Sequence, residues 1–438
     1  MSSAFEVRVR KFLSTIEKTA ANWLKKYQND DQEPGNKLNN ESNDVLSRVN
    51  TYSLWDSLPV ELQITVFGRC RLQDMGNLRL VSRAFRDLID IHEHAIAREY
   101  LRIRRHGSLP VPLAVNNSSS PSASDPTHWQ QKRHTRAPQD DVILLSDLFP
   151  PQPPPSGRVR DAYTFRYLSS LRRRQKECSR LAYYLADRVL DKYMQSDPSI
   201  KASFASKRDR QAFYERGIAI LQFKLTPLMY YTLFFLESYS NARRGLQDTL
   251  YAAYEAGQLP VPVQPVDRAA FYRQLQAKIL QNPPFTDTPT LLSTHHCINL
   301  LVCYLRLTLA PDPPFYSSSD SLISMLLSAS GLTRLVEYFA AEKGGGTNQR
   351  AMRKEFMRNM QADWDASRND PKALKVYGNS EESTKPSPLR EIWFESARSE
   401  LRARGALPHR TEDWVIIWEG AKISIGCQHC EGEDGWQA

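Results

Sequence analysis

Three groupings along the chain carry residue types able to do chemistry. Cys427-Gln-His-Cys430 has the two-residue spacing that lets two thiolates reach one tetrahedral metal, with His429 or His409 as further donors. A structural zinc site needs four ligands and the chain has no second Cys-x-x-Cys, so free thiols are expected and no metal or cofactor is assigned. His295-His296-Cys297, with Cys303 a few residues on, sits in an apolar helical run. Buried thiols and a satisfied imidazole are commoner there than ligands, so core is expected. Arg172-Arg173-Arg174-Gln-Lys176, beside Arg180, is a dense basic cluster. Guanidinium forks match phosphate geometry, which makes Arg172, Arg173, Arg174 and Lys176 the first candidates for contacting an acidic or phosphorylated substrate. A nuclear signal and a solvated helix face are the alternatives. The chain contains no Gly-rich phosphate loop, Gly-x-Ser-x-Gly elbow or His-Glu-x-x-His helix, so no catalytic residue is assigned and enzymatic activity is not expected.

The elements that must position these residues fill a chain of 438 residues, long enough for about three domains. With 27 prolines against 18 glycines, several breaks are expected. The formal net charge of +9 favours an acidic partner without choosing among nucleic acid, anionic lipid and protein. Six cysteines scattered over this length read as reduced thiols, and the N-terminus has no uninterrupted apolar core of a signal peptide, so a cytoplasmic or nuclear protein is expected. The longest apolar stretch, 218–236, is interrupted by Gln222, Lys224 and Pro227. It is expected as a buried helix pair, not a membrane span.

Residues 1–27 have the pattern of a basic amphipathic helix, and 28–50 read as a polar linker. A compact helical segment is expected over 51–105. A Pro/Ser-rich disordered linker is expected over 106–160, where only the run Val142 to Phe149 is apolar enough to dock. Residues 161–340 read as a helical, substrate-binding region, with helices near 203–224, 228–256, 267–281 and 290–309. A flexible segment with a short helix follows over 341–390. The chain closes over 391–438 with a helix ended by Gly405, a short β-hairpin of Trp414-Val-Ile-Ile-Trp and Lys422-Ile-Ser-Ile, and the Cys-x-x-Cys tail. The fold class is mainly α.

The most informative segment runs from Leu54 to Asp90. Pro59 suits a helix's first turn, where its missing N–H has no intrahelical partner, and Glu61 sits where the helix dipole favours an anion. Leu62, Val66 and Phe67 supply apolar positions, and Gly68-Arg69 end the run. Asp74 is expected to cap a second helix carrying Leu78 and Val81, and Ser82 to cap or bend the chain before Phe85 and Leu88. Three helices this short cannot bury their stripes singly and are expected to be marginal without a partner.

The segment resembles the F-box. The family's pattern is a Leu-Pro opening, an acidic residue with Leu, an apolar pair, an Asp-containing turn, then Leu, Val-Ser, an aromatic and Leu. It is met by Leu58-Pro59, Glu61-Leu62, Val66-Phe67, Asp74, Leu78, Val81-Ser82, Phe85 and Leu88. Gly68 and Gly76 depart from it, and Phe85 stands where the family often has Trp. The resemblance, which covers only about residues 54–100, implies a three-helix F-box that binds a Skp-type adaptor, and through it a cullin and a RING subunit. The protein then recruits an unknown protein substrate and needs no acid, base or nucleophile of its own. Its adaptor-facing and supporting set is Leu58, Pro59, Leu62, Ile64, Phe67, Leu78, Val81 and Phe85. In layout the chain looks like a fungal-type F-box protein whose substrate region belongs to no common repeat class; membrane and nucleic acid are not expected partners. Two alternatives stay open: a basic protein binding nucleic acid or anionic membrane, and an adaptor-bound protein acting without the cullin.

Overall fold

A computed structural model describes residues 55, 58–106, 138–153, 157–196, 204, 206–258, 262–309, 316–329, 331–343, 346–378, 387–406, 414–419 and 422–427. The basic helix expected over 1–27, the linker over 28–50, and His409, His429 and Cys430 lie outside them. The chain divides into two units, one through Tyr100 and the other from Leu101 onward.

In the first unit, turn signals cut the chain into short helices whose stripes must share one core. They are α1 (Val60–Arg69), α2 (Leu72–Val81), α3 (Arg83–Ile91) and the start of α4 (Glu93–His106). Phe67, Met75, Leu78, Ile89, Ile96 and Ala97 are buried. The remaining helices are α5 (Pro138–Leu148), α6 (Phe165–Ser196), α7 (Lys207–Glu255), α8 (Pro265–Leu280), α9 (Thr288–Leu309), α10 (Tyr316–Ala329), α11 (Thr333–Lys343), α12 (Gly346–Arg368), α13 (Pro371–Tyr377), α14 (Leu389–Ile392) and α15 (Phe394–Ala403). A hairpin follows: β1 (Trp414–Glu419) pairs antiparallel with β2 (Lys422–Cys427), Ile416 opposite Ile425.

The second unit is organised on α7, against which α6, α9, α8 and α13 pack. The expected break at Pro227 does not occur: α7 is one helix of 49 residues with the proline inside. A mid-helix proline costs about 3 kcal/mol. Here Leu221, Leu225, Met229, Tyr230 and Leu233 are all buried around it. At roughly 1.5–3 kcal/mol for each large side chain, that burial exceeds the local cost. By length and composition α7 passes as a membrane span, yet these side chains are packed among helices of the unit.

Two further expectations are corrected. The segment expected as linker contains α5, because Pro138 opens a turn, and Val142, Leu145 and Leu148 fall on one stripe and are buried. Its end is fastened where the Tyr167 hydroxyl donates to the Phe149 carbonyl at 3.0 Å. The segment expected to be flexible over 341–390 holds α12, a 23-residue helix whose Phe356 and Met360 are one turn apart and buried. Elsewhere Trp393 is buried edge-on to Phe235, with centroids 4.5 Å apart, and its Nε1 donates to His295 Nδ1 at 3.2 Å. Burial holds His295 down at about 3 and His296 at about 4, so both imidazoles are neutral in the core, and His295 accepts through Nδ1. Burial likewise pushes the Cys297 thiol up to about 12.

Candidate functional site

The first unit is built from its entry. Pro59, extended at φ −53° and ψ 142°, occupies the N-cap of α1, and its carbonyl accepts from the N–H of Leu62 at 2.9 Å and of Gln63 at 3.1 Å. Gln63 is buried, and its Nε2 donates to the carbonyls of Trp55 at 2.8 Å and Leu58 at 3.1 Å. That side chain ties the Leu58-Pro59 entry to the first turn of α1. The Trp55 ring lies edge-on to Phe67 at 5.4 Å and to Phe85 at 5.5 Å, and Phe67 and Phe85 meet at 6.2 Å. Three edge-to-face pairs add about 0.5–1.5 kcal/mol each beyond area burial. They join the entry, α1 and α3.

The turns follow the same economy. α1 stops as Cys70 turns extended, its N–H donating to the Phe67 carbonyl at 3.0 Å. Asp74, expected from sequence to cap α2, does not do so. The N-cap is Arg71, whose side chain makes no capping bond, and Asp74 lies inside the first turn, where its charge suits the dipole. Ser82 does cap α3: its Oγ accepts from the N–H of Phe85 at 3.1 Å. Arg79 and Asp90 form an ion pair at 2.7 Å, and Arg86 Nε donates to the Arg79 carbonyl at 3.3 Å. An exposed pair contributes about 0–1 kcal/mol, but this one sets the C-terminal ends of α2 and α3 side by side.

The structure divides the eight residues named from sequence. Phe67 and Leu78 are buried core, so they support a surface and do not present one; Leu58, Ile64 and Phe85 are part-buried. Pro59 is exposed, and Leu62 and Val81 are each 43% exposed. Sequence reasoning passed over two larger apolar groups, Leu80 at 79% and Ile91 at 74% exposure. Leu80 sits two residues from buried Leu78 and so points to the opposite side of α2. Ile91 ends α3. Each directly follows a member of the Arg79–Asp90 pair, so both stand where those helix ends are tied together. Trp55 and Gln63 were also passed over.

The basic cluster on α6 separates too. Arg172, Arg173 and Lys176 are exposed. Arg174 is engaged within the protein: it pairs with Glu237 through Nε at 3.1 Å and Nη2 at 2.7 Å and lies over the Phe149 ring at 4.4 Å. No group of three metal-ligating side chains occurs among the described residues.

No curated protein and no solved structure matches the chain. A family model described as F-box-like matches residues 55–94, the span from Trp55 to the first turn of α4. With three packed helices and a Ser82-capped third helix inside that span, the match identifies residues 55–94 as an F-box-like domain.

Proposed function

We propose that this protein is the substrate receptor of an SCF-type ubiquitin ligase: its F-box-like domain binds a Skp-type adaptor, which brings the cullin and the RING subunit, while the larger helical unit holds the protein to be ubiquitinated. The observation that carries the reading is the set of exposed apolar side chains Pro59, Val60, Leu62, Leu80, Val81 and Ile91 on a domain with a small core. Scattered exposed apolar groups are ordinary, but six in 33 residues of a domain matched as F-box-like support a partner that covers them. Burial of that set on a helical adaptor supplies both affinity and the missing part of the core. Catalysis in such a complex comes from effective concentration, since the receptor places a lysine near the charged conjugating enzyme.

The test is reconstitution of the full chain with adaptor, cullin and RING subunit, beside a Leu58→Ala, Pro59→Ala, Leu62→Ala variant checked for helicity. Co-elution of all four components by the wild type, lost in a folded variant, is the expected result. Capture of adaptor with the cullin absent would assign the protein to an adaptor-bound role outside the ligase. Capture of neither moves the basic binding-protein reading to the front.

A further inference from the structure

Five helices of the second unit converge on a pocket of about 440 Å³ whose lining includes Arg243 and Arg244 of α7, Arg268 and Tyr272 of α8, Ser328 of α10 and Arg368 of α12, with α13 closing one side. The guanidinium of Arg243 lies over the Tyr272 ring at 4.8 Å and the Tyr239 ring at 5.6 Å, and that of Arg268 over Tyr377 at 5.5 Å. Rings stack cations and fix their direction, but they do not neutralise them. Of the two carboxylates in the wall, Asp363 is paired with a cation outside the lining, whereas Asp370 is held by neutral donors and keeps its charge. Asp363 accepts from Arg334 Nε at 2.7 Å and Nη2 at 3.3 Å. Asp370 accepts from Gln247 at 2.6 Å and caps α13 through the Lys372 N–H at 3.0 Å. Among the described residues Arg243, Arg244 and Arg368 form no ion pair, and the Ser328 hydroxyl is buried without a hydrogen-bond partner.

The four guanidiniums outnumber the two carboxylates of the lining, so they repel one another and the cavity is electropositive. A doubly charged oxyanion removes that repulsion and accepts the planar fork of each arginine. We propose that this pocket is a binding site for a phosphate monoester group. The ring-stacked Arg243 and Arg268 form its fixed floor, and Arg244 and Arg368 close on the group from the rim. The pocket's chemistry is independent of the adaptor reading. Only the identification of the group's carrier with a recruited protein rests on it.

The test is calorimetric titration of the full chain with three probes: a serine peptide, the same peptide phosphorylated, and free O-phosphoserine. The expected result is saturable binding of the phosphorylated probes only. It weakens about tenfold in Arg368→Gln and in Arg244→Gln, each losing one charge-assisted bond. These exposed residues are chosen so that folding is retained; Arg172→Gln with Arg173→Gln on α6 is expected to bind as wild type. Tighter binding of the phosphopeptide than of O-phosphoserine assigns the carrier to a protein, and the reverse to a small phosphorylated metabolite. Either order sustains the site. No binding of a phosphorylated probe, or equal affinity in the Arg244 and Arg368 variants, overturns it. Adaptor capture is measured on the same samples, so failure of the pocket and failure of the receptor reading are separate results.

Discussion

Truncating Leu80 and Ile91 together isolates partner binding from domain stability. Both side chains are almost entirely in solvent, at 79% and 74% exposure, so replacing them with Ala removes few internal contacts and is expected to leave stability within about 0.5 kcal/mol. If an adaptor covers them, nearly all of their apolar surface is still to be buried. Complete burial of a Leu or Ile contributes roughly 1.5–3 kcal/mol, and Ala retains a part of that. The double variant should therefore lose about 3 kcal/mol of binding, on the order of a 100-fold rise in Kd. The assay is titration of the full chain with a purified Skp-type adaptor, alongside urea unfolding of wild type and variant. A Kd within about threefold of wild type would refute the assignment of this surface. A loss of stability equal to the loss of affinity would show that the two side chains act through folding.

Phe67→Ala is the complement: it empties the centre of the Trp55–Phe67–Phe85 cluster and should cost about 3–5 kcal/mol, unfolding the domain and abolishing adaptor capture together, read by urea titration. Gly76→Ala should stabilise by about 0.5–1 kcal/mol, because a Cβ there meets nothing within 4 Å and the helix loses a flexible residue; a fall in the unfolding midpoint would contradict it. For His295 the folded value near 3 lies below the ordinary 6.5, so the unfolded chain binds the extra proton. Its contribution is fully present above pH 6.5 and is lost as pH falls toward 3, at about 1.4 kcal/mol per pH unit. His295→Gln should flatten that part of an acid-unfolding curve followed by Trp fluorescence. Arg174→Ala should destabilise by about 1–3 kcal/mol through the part-buried Glu237 left unpaired, whereas Arg173→Ala should stay within about 0.5, by thermal unfolding.

What could be read from sequence was local. Leu58-Pro59, the Ser82 cap and the alternation of apolar positions to Leu88 locate the first-unit helices, because each signal acts within one turn of its own residue. The core placement of His295 and Cys297 was legible from their apolar run, and the hairpin from β-branched runs about Glu419-Gly420-Ala421. What escaped was set by distant partners. Pro227 is carried by burial against other helices and Arg174 is claimed by Glu237, 63 residues away, while for α5 the docking of its apolar run was legible and only its helical form was not. The adaptor-facing set was mixed for the same reason: Leu78 and Leu80 are alike in sequence, and only the packing of α2 decides which is covered. A pocket drawn from five helices has no signature in any one of them.

The central claim, that the F-box-like domain is an adaptor-binding device, is tested most directly by mixing the full chain with a Skp-type adaptor and measuring the mass of the product by light scattering after size exclusion. A one-to-one complex is the expected result. Two separate peaks at micromolar concentrations, with the chain itself folded, would contradict it.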